Sequence, residues 1–298
     1  MRILLLGSRG QVGCELAQRL PELGAVTALG REDLDLADLG QVRRVMDQLA
    51  PELVVNAAAY TAVERAENEP ELARRVNGAA PGVLAEAAAR IGAGLVHFST
   101  DYVFDGSKHK PYSEDDAPNP INVYGESKLD GERAIRSVGG PALILRLSWV
   151  YSLRRASFVS KVLSWAAGST ELRIAADQIS IPTWCASAAE ATVAILRVLT
   201  SDPSFPESCD GLFHLASAGE ASRYNWAKEI LRLADGQPDG ASPRLIRAKG
   251  KGFQSPAPRP AYSVLDCGRL EERFGIRLPH WREDLNAAFA GQTSLIPA

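Results

Sequence analysis

The sequence predicts an α/β protein with a doubly wound parallel sheet, Rossmann-like, and a smaller, mixed C-terminal substrate domain. Two observations carry this prediction. In the first half of the 298-residue chain, unbroken apolar runs alternate with helical patterns, which is typical of parallel strands buried on both faces. A glycine-rich turn also joins the first apolar run to the first helical pattern, as in dinucleotide-binding folds.

The elements of the first half alternate between strand and helix. Short apolar runs predict strands at residues 2–6, 25–29, 53–59, 94–100 and 142–151. Apolar residues at helical spacing predict helices at residues 11–20, 39–50, 69–91 and 124–137. Each of the first four strands is thus followed by a helix that can return the chain for a parallel neighbour.

The second half is less regular. Its helical patterns lie at residues 156–167, 186–199, 222–234 and 266–275, and residues 211–217 are typical of a strand. The last helix begins near Asp266, a good N-cap residue, and the stretch 236–262, rich in Gly, Pro and basic residues, predicts loop or short strand. We expect a dinucleotide-binding domain at 1–150 and a substrate-binding domain at 151–298, with a soft boundary and some later elements returning to the first domain.

Composition excludes several classes of function. The net charge of −3 gives no general attraction to nucleic acid or to an anionic membrane. The N-terminal apolar run is too short for a signal peptide, and no run reaches membrane-spanning length. Four cysteines lie far apart with no Cys-x-x-Cys pair, so neither a disulfide framework nor a zinc site is indicated. The sequence predicts a cytoplasmic protein without nucleic-acid or membrane partners.

The stretch "GSRGQVG" places Gly7, Gly10 and Gly13 between the first strand and the first helix. Glycine permits a tight turn there and lets a pyrophosphate approach the backbone, facing free N–H groups and the positive end of the helix dipole. A glycine-rich turn without a ligand is the plainer alternative. The position, closing the first strand and opening a helix, favours NAD(P) binding.

The second predicted strand ends at "LGRED", where folds that favour NAD often carry an acidic residue for the ribose 2′-OH. Gly30 and Arg31 stand there instead. Arg31 pairs with a 2′-phosphate, which favours NADPH over NADH, or is a solvated surface arginine, and both interpretations stay open. Asp35 and Leu36 follow at a spacing suited to lining the adenine, and small residues in "NAAAYT" let backbone lie close to the cofactor.

In "NVYGESKLDGE", Tyr124 and Lys128 lie four residues apart, on one face of a predicted helix. A free phenol has a pKa near 10, and a neighbouring ammonium is expected to lower it. Tyr124 then serves as the proton donor to an alkoxide that forms as hydride reaches a ketone. Lys128 can also hydrogen-bond the cofactor ribose.

A second Tyr-x-x-x-Lys match, Tyr224 and Lys228, lacks this context and suggests packing on an amphipathic helix. Only the first match follows a strand ending in "FSTDYVFDG", where Thr100 can hydrogen-bond the substrate oxygen. His97 lies inside that strand and is predicted to be a packed core residue. The other histidines show no metal-ligand spacing.

Together these motifs resemble the extended short-chain dehydrogenase/reductases, and in detail the dTDP-4-dehydrorhamnose reductase family. The resemblance covers Gly7 to Asp266, almost the whole chain, in the family's order. The matching stretches are "GSRGQVG", "VVNAAAYTAVERAE", "HFSTDYVFDG", "NVYGESKLDGE", "LRLSWVY", "DQISIPT" and "RPAYSVLD".

The resemblance implies NAD(P)H-dependent reduction of the C4 ketone of dTDP-4-dehydro-β-L-rhamnose, a dTDP-sugar. It implies that Tyr124 is the proton donor, Lys128 its partner and ribose ligand, and Thr100 the substrate-polarising hydroxyl. It places cofactor contacts at the pyrophosphate (Gly10, Gln11, Val12), near the adenine (Asp35, Leu36) and along the nicotinamide (Ala59, Tyr60, Thr61). It places substrate contacts at Thr100, Asp101 and Trp149, with Arg259 near the diphosphate.

Some positions keep a second interpretation. Trp149 offers a flat apolar face to a sugar or is a core tryptophan, and Arg259 reaches a diphosphate or is a solvated arginine. Where the family usually has glycine and asparagine after "SWVY", this chain has Ser152 and Ser157, in a loop that borders the substrate pocket of the family. The family also allows a homodimer and, in some relatives, magnesium at its interface, although no metal site is evident in the sequence.

Three other functions fit the same fold. A nucleotide-sugar dehydratase commonly has Asp-Glu directly after the threonine, whereas this chain has Asp101 and then Tyr102. A nucleotide-sugar epimerase is disfavoured only by the weaker fit of the surrounding motifs. A non-catalytic regulatory subunit, like that of methionine adenosyltransferase, is the alternative of a different class, because fold alone does not establish activity.

Overall fold

The structure is a computed structural model that describes residues 1–234 and 243–291. Its main sheet has six parallel strands in the order β10-β5-β4-β3-β1-β2. The strands are β1 (Arg2–Leu6), β2 (Ala25–Leu29), β3 (Leu53–Asn56), β4 (Gly94–Thr100), β5 (Ala142–Leu147) and β10 (Gly211–His214). The predicted fold class is confirmed, with the strand order reversing between β1 and β3, where such sheets bind ligands.

Both faces of the sheet are buried except along the edge strand β2, whose residues are exposed or half-buried, and this burial explains the apolar runs of the inner strands. In β1, Ile3 and Leu5 point into one core cluster and Leu4 and Leu6 into the other. The helices that cover the sheet are α1 (Gln11–Arg19), α2 (Leu39–Leu49), α5 (Ala80–Ile91), α6 (Val123–Val138) and α8 (Cys185–Ser201). Each face therefore removes its own set of side chains from water.

The helix predicted at 69–91 is interrupted. It consists of α4 (Pro70–Arg74), a π-helical segment (Arg75–Ala79) and α5, preceded by the short α3 (Val63–Ala66). The extra residue in the π segment turns Asn77 inward, where its side chain is buried. Such π segments commonly mark functional sites.

The strand predicted at 142–151 is also two elements. β5 ends at Leu147, and the two-residue β6 (Val150–Tyr151) pairs with β9 (Thr183–Trp184) outside the main sheet. Between them Trp149 has a φ of 34°, a left-handed conformation that is uncommon for a bulky residue and that ends regular strand geometry.

The C-terminal part forms a smaller layer. Parallel β7 (Glu171–Ala175) and β12 (Arg244–Ala248) pack with α7 (Phe158–Ala167), α9 (Arg223–Ala234) and α11 (Trp281–Ala290). Its core includes the fully buried Trp226 and Trp281, and β8 (Ile179–Ser180) pairs with β11 (Ala221–Ser222).

Two elements of the second half pack on the first. α8 lies against α1, and β10 extends the main sheet beside β5. The division near residue 150 stays a prediction. The N-cap of α10 (Gly268–Phe274) is Cys267, so the predicted N-cap Asp266 lies one residue too early, although its carboxylate accepts a hydrogen bond from the Gly268 N–H at 2.9 Å. Of the predicted 236–262 loop, residues 236–242 lie outside the described residues; the rest includes β12.

Within residues 1–234 and 243–291, no helix combines the length and apolar character that crossing a membrane requires.

Candidate active site

A cleft of about 1440 Å³ opens at the carboxyl ends of β1, β3, β4 and β5. Pockets for one small ligand are typically about 300–1,000 Å³, so this cleft has room for a dinucleotide together with a second ligand. Of the predicted site residues, all except Gly13 line it: Gly7, Gly10, Gln11, Val12, Arg31, Asp35, Leu36, Ala59, Tyr60, Thr61, Thr100, Asp101, Tyr124, Lys128, Trp149 and Arg259.

The turn between β1 and α1 fits a pyrophosphate. Gly7 has a φ of 74°, and a Cβ there would lie 2.6 Å from the Ala58 nitrogen. Gly13 lies behind the cleft wall, where a Cβ would meet the Gly7 carbonyl oxygen at 2.0 Å; its role is the close approach of α1. Gly10 caps α1 without a side-chain hydrogen bond, which leaves N–H groups for an anion. The buried Gln11 Oε1 accepts no hydrogen bond from the described residues. It is therefore available to accept one from a hydroxyl of a ligand.

At the end of β2, Arg31 is exposed on the cleft. Two charged residues that were not among the predicted site residues also lie here. Arg9 from the glycine turn forms an ion pair with Glu32 at 3.1 Å. Asp35 accepts a backbone hydrogen bond from the Ala37 N–H at 3.0 Å. The contact between Arg31 and a 2′-phosphate stays a prediction.

The loop after β3 is held from the π-helical segment. Asn77 accepts from the Tyr60 N–H at 2.8 Å and donates to the Tyr60 carbonyl at 3.0 Å. It also donates to Ser127 Oγ of α6 at 3.0 Å. Asn77 therefore connects the predicted nicotinamide loop to the helix that carries Tyr124. The sequence offered no signal for it, because Asn77 lies within a helical pattern.

α6 begins at its N-cap Asn122, whose side chain accepts from the Gly125 N–H at 2.8 Å. Tyr124 therefore stands in the first turn and contacts the ring of Tyr102 edge to face, with 5.8 Å between centroids. Lys128 is 1 % exposed. Its Nζ lies 3.1 Å from His97 Nε2 and donates to the Phe98 carbonyl at 2.5 Å.

His97 is buried, as predicted, but it is more than a packing residue. Its Nδ1 lies 3.0 Å from Asn56 Nδ2, while Asn56 Oδ1 accepts from the Ala58 N–H at 3.2 Å. With the amide so oriented, Asn56 donates to Nδ1, and a neutral imidazole carries its proton on Nε2. Only the deprotonated amine of Lys128 can accept that proton in a hydrogen bond, because an ammonium has donors alone. A buried chain thus runs from Lys128 through His97 to Asn56. Spacing in the sequence could not reveal it, since the three residues lie on three elements.

Burial governs the acidities of this pair. It raises the pKa of the Tyr124 hydroxyl, and the nearby Thr100 hydroxyl acts in the opposite direction. Burial also lowers the pKa of Lys128 to about 8, with Glu132 opposing. The net shift at Tyr124 is opposite to the one predicted from its neighbour, because desolvation outweighs the other contributions and the Lys128 amine contacts His97 and a carbonyl.

Thr100 closes β4, and its Oγ1 accepts from the Tyr102 N–H and donates to Asp101 Oδ1, each at 3.2 Å. The Asp101 carboxylate is buried among hydroxyls, with Oδ2 accepting from Ser180 at 3.0 Å and Ser263 at 2.6 Å. Burial raises the pKa of Asp101, and these hydroxyls lower it. The substrate contact predicted for Asp101 stays a prediction. In the structure Asp101 accepts the hydrogen bond from Thr100 and so positions that hydroxyl.

Trp149 lies beside a cation. The Arg223 guanidinium stands 3.6 Å from the Trp149 ring centroid, and Trp226 stacks with Trp149 at 5.7 Å. A sugar would share this ring with Arg223, so the predicted flat apolar face is partly covered. Arg223 lies at the start of α9, far along the chain, and no motif in the sequence marks it.

Arg259 lines the cleft and is anchored. It pairs with Glu64 at 2.7 Å and donates to Ser255 at 2.8 Å, so it is not freely solvated.

The departures Ser152 and Ser157 bond to each other, Ser157 Oγ donating to the Ser152 carbonyl at 2.7 Å. They therefore shape the loop before α7. Tyr224 and Lys228 lie outside the cleft lining.

Comparison with known proteins bears on this cleft. Residues 1–293 match the family model described as the RmlD substrate binding domain. A dTDP-4-dehydrorhamnose reductase from Burkholderia thailandensis is 43 % identical over 285 residues, covering 95 % of this chain and 96 % of that protein. Among solved structures, the dTDP-4-dehydrorhamnose reductase of Clostridium acetobutylicum is 32 % identical with a TM-score of 0.90, covering 99 % and 100 % of the two chains.

A second solved relative, the Bacillus anthracis dTDP-4-dehydrorhamnose reductase in complex with NADP, is 30 % identical with a TM-score of 0.88, covering 98 % and 99 %. Matches of this extent and identity establish the family and agree with the resemblance. The chain belongs to the dTDP-4-dehydrorhamnose reductase family, whose family model is that of the RmlD substrate binding domain.

Proposed function

We propose that this chain catalyses the NAD(P)H-dependent reduction of the C4 ketone of dTDP-4-dehydro-β-L-rhamnose to dTDP-L-rhamnose. The observation that carries the proposal is the convergence of Thr100, Tyr124 and Lys128 on one cleft with the glycine turn at Gly7. The relatives named as dTDP-4-dehydrorhamnose reductases support the choice of reaction.

Residues of this chain supply the proton that the substrate oxygen takes up during the reduction. A bound nicotinamide supplies the hydride. A phenol is protonated at neutral pH, so the Tyr124 hydroxyl can act as the acid, although burial raises its pKa and makes it a weaker proton donor. Thr100 favours the phenolate that remains after transfer, and Lys128, with a pKa of about 8, can change protonation near neutral pH. Acid catalysis of this kind typically contributes about 10²–10⁴ in rate.

Support for a cofactor preference comes from charge at the end of β2. Arg9 and Arg31 line the cleft and supply two cations near the end of β2, where Arg9 pairs with Glu32 and the carboxylates of Asp33 and Asp35 follow. NADPH is therefore the proposed preference over NADH, in line with the relative described in complex with NADP.

We assign no residues to magnesium: the described residues hold no group of three or more His, Cys, Asp and Glu that could bind a metal.

The substrate contacts proposed are Thr100, Trp149 and Arg259, all of which line the cleft. A cytoplasmic location and a homodimer belong to the same proposal. A dehydratase would need a second carboxylate directly after Asp101. Tyr102 stands at that position instead and is 7 % exposed. Only a measurement of turnover distinguishes an enzyme from the non-catalytic regulatory subunit.

Steady-state reduction of the keto-sugar nucleotide with NADPH and with NADH tests the proposal. Tyr124→Phe should lower kcat by about 10²–10⁴-fold while cofactor affinity stays close to wild type. Tyr224→Phe is the matched control, since it alters the second Tyr-x-x-x-Lys pair outside the cleft. Cofactor binding without any consumption of NADPH or NADH would overturn the enzyme assignment and favour a regulatory subunit.

A further inference from the structure

A cluster of hydroxyls surrounds the carboxylate of Asp101, a residue that is 2 % exposed. Its Oδ2 accepts hydrogen bonds from three buried serines, named here the serine cluster: Ser263 at 2.6 Å, Ser180 at 3.0 Å and Ser148 at 3.4 Å. The charge of Arg223 also favours the ionised carboxylate, but less than the Ser263 and Ser180 hydroxyls do. Because a buried carboxylate is costly to keep ionised, the serine cluster is the main support of this charge.

The serine cluster joins the main sheet to the C-terminal layer. Ser148 directly follows β5, Ser180 lies in β8, and Ser263 lies between β12 and α10. The Oγ of Ser180 lies 2.6 Å from that of Ser148 and 2.9 Å from that of Ser263. With the three hydroxyls bonded to one another, the Asp101 carboxylate is held in one orientation, in which Oδ1 faces Thr100. None of the three serines lines the cleft, so they reach the reacting groups only through Asp101.

Thr100 divides its hydrogen bonds between three neighbours. Its Oγ1 accepts from the Tyr102 N–H and donates to Asp101 Oδ1, each at 3.2 Å. A hydroxyl has one proton and two acceptor lone pairs, and an ionised carboxylate can only accept. One lone pair of Thr100 is therefore left, and the Tyr124 hydroxyl is the neighbour that interacts with it. In this arrangement Thr100 accepts from Tyr124 and fixes the direction of its O–H bond.

We propose that the three residues of the serine cluster are positioning residues for the proton transfer, because they keep Asp101 ionised so that Thr100 accepts from the Tyr124 hydroxyl. This inference rests on the proposed function and deepens it. When Tyr124 has given its proton to the substrate oxygen, Thr100 turns its own hydrogen bond from Asp101 to the phenolate. Asp101 loses one donor in that step and keeps those of the serine cluster, so the buried carboxylate is never left without hydrogen bonds.

Activity should then depend on the protonation of Asp101. Its pKa is raised by burial and lowered by hydrogen bonds, first among them the one from Ser263. The other charged or titratable groups that face it are Tyr124 on α6 and Arg223 on α9. A protonated Asp101 would donate to Thr100 and occupy the lone pair that faces Tyr124. Activity should therefore fall as the pH drops through the pKa of Asp101, and loss of a serine donor should raise that pKa.

The pH dependence of kcat in Ser263→Ala tests this role, with dTDP-4-dehydro-β-L-rhamnose and NADPH saturating at each pH. Relative to wild type, we expect the acidic limb of the profile to move up by about one pH unit, the scale of one hydrogen bond to a charged group. Ser263→Cys should lie between the two, because a thiol is a weak donor. Carbon-13 NMR of the Asp101 carboxyl, assigned with Asp101→Asn, should show the same rise in pKa without turnover.

Ser217→Ala is the matched control, because Ser217 donates to the buried carboxylate of Asp284 at 2.5 Å and neither residue lines the cleft. It removes the same kind of hydrogen bond as Ser263→Ala and should lower stability in urea unfolding by a comparable amount. The pH profile of kcat should stay that of wild type, because Asp284 has no contact with Thr100.

A Ser263→Ala profile that matches the profile of Ser217→Ala overturns the inference, since Ser263 then has a structural role alone. An Asp101 pKa that is unchanged in Ser263→Ala overturns it as well. If the wild type binds NADPH but reduces no keto sugar, the proposed function fails, and the NMR titration still decides whether the serine cluster keeps Asp101 ionised.

Discussion

Replacing Lys128 by Met should remove a pH-dependent contribution to stability. The pKa of Lys128 is lowered from 10.5 to about 8 by burial. Below pH 8 both the folded and the unfolded chain carry the charge, and the folded state bears the full cost of burying it. As the pH rises from 8 toward 10.5, the folded state loses its proton first, so the unfolded state binds more protons and folding becomes more favourable.

The size of the effect follows from the shift. Each pKa unit corresponds to about 1.36 kcal/mol, so the wild type should gain on the order of 2–3 kcal/mol between pH 7 and pH 10 relative to Lys128→Met. Urea unfolding of both proteins across this range measures the difference, in which the titrations of other groups largely cancel.

Lys228→Met is the control, because Lys228 is exposed on α9 and should give a difference independent of pH. A constant difference for Lys128→Met as well would refute the reasoning, since Lys128 would then keep an ordinary pKa in the folded chain.

Three further predictions concern the surroundings of the site. Gly13→Ala brings a Cβ to 2.0 Å from the Gly7 carbonyl, so it should cost about 1–3 kcal/mol of stability and weaken NADPH binding in a fluorescence titration; wild-type affinity would contradict this. His97→Leu releases the Lys128 amine and should lower kcat by up to about 100-fold with little change in the NADPH Kd, whereas His97→Gln should retain more activity; equal kcat in both variants would count against the hydrogen-bonded chain. Arg146→Met leaves the buried Glu132, paired at 2.6 Å, without its partner and should cost about 3–5 kcal/mol in urea unfolding; an unchanged midpoint would exclude this pair from the stability of the fold.

Much of the fold is readable from the sequence because both faces of the sheet are covered. Every residue of β3 and β4 is buried, and the polar residues among them stand toward the carboxyl ends of the strands, at Asn56, His97, Ser99 and Thr100. The glycine turn is equally local, since the left-handed φ of Gly7 and the close approach at Gly13 exclude side chains. Strand, turn and helix therefore carry their signals within a few residues.

Other features depend on contacts between distant segments. The break at Trp149 depends on β6 pairing with β9, more than thirty residues later, and no proline or glycine marks it. Asn77 is turned inward by a π segment that a helical pattern conceals. The contact between His97 and Lys128 joins β4 to α6. Such features depend on tertiary packing and could not be predicted from local pattern.

The most direct test of the reductase mechanism follows the transferred hydrogen. Wild-type protein should be given dTDP-4-dehydro-β-L-rhamnose and NADPH carrying deuterium at the transferable position, and the product examined by NMR. The proposed function predicts dTDP-L-rhamnose with deuterium at C4 of the sugar. Oxidation of the cofactor without deuterium at C4, or an isomerised sugar that retains its ketone, would contradict it.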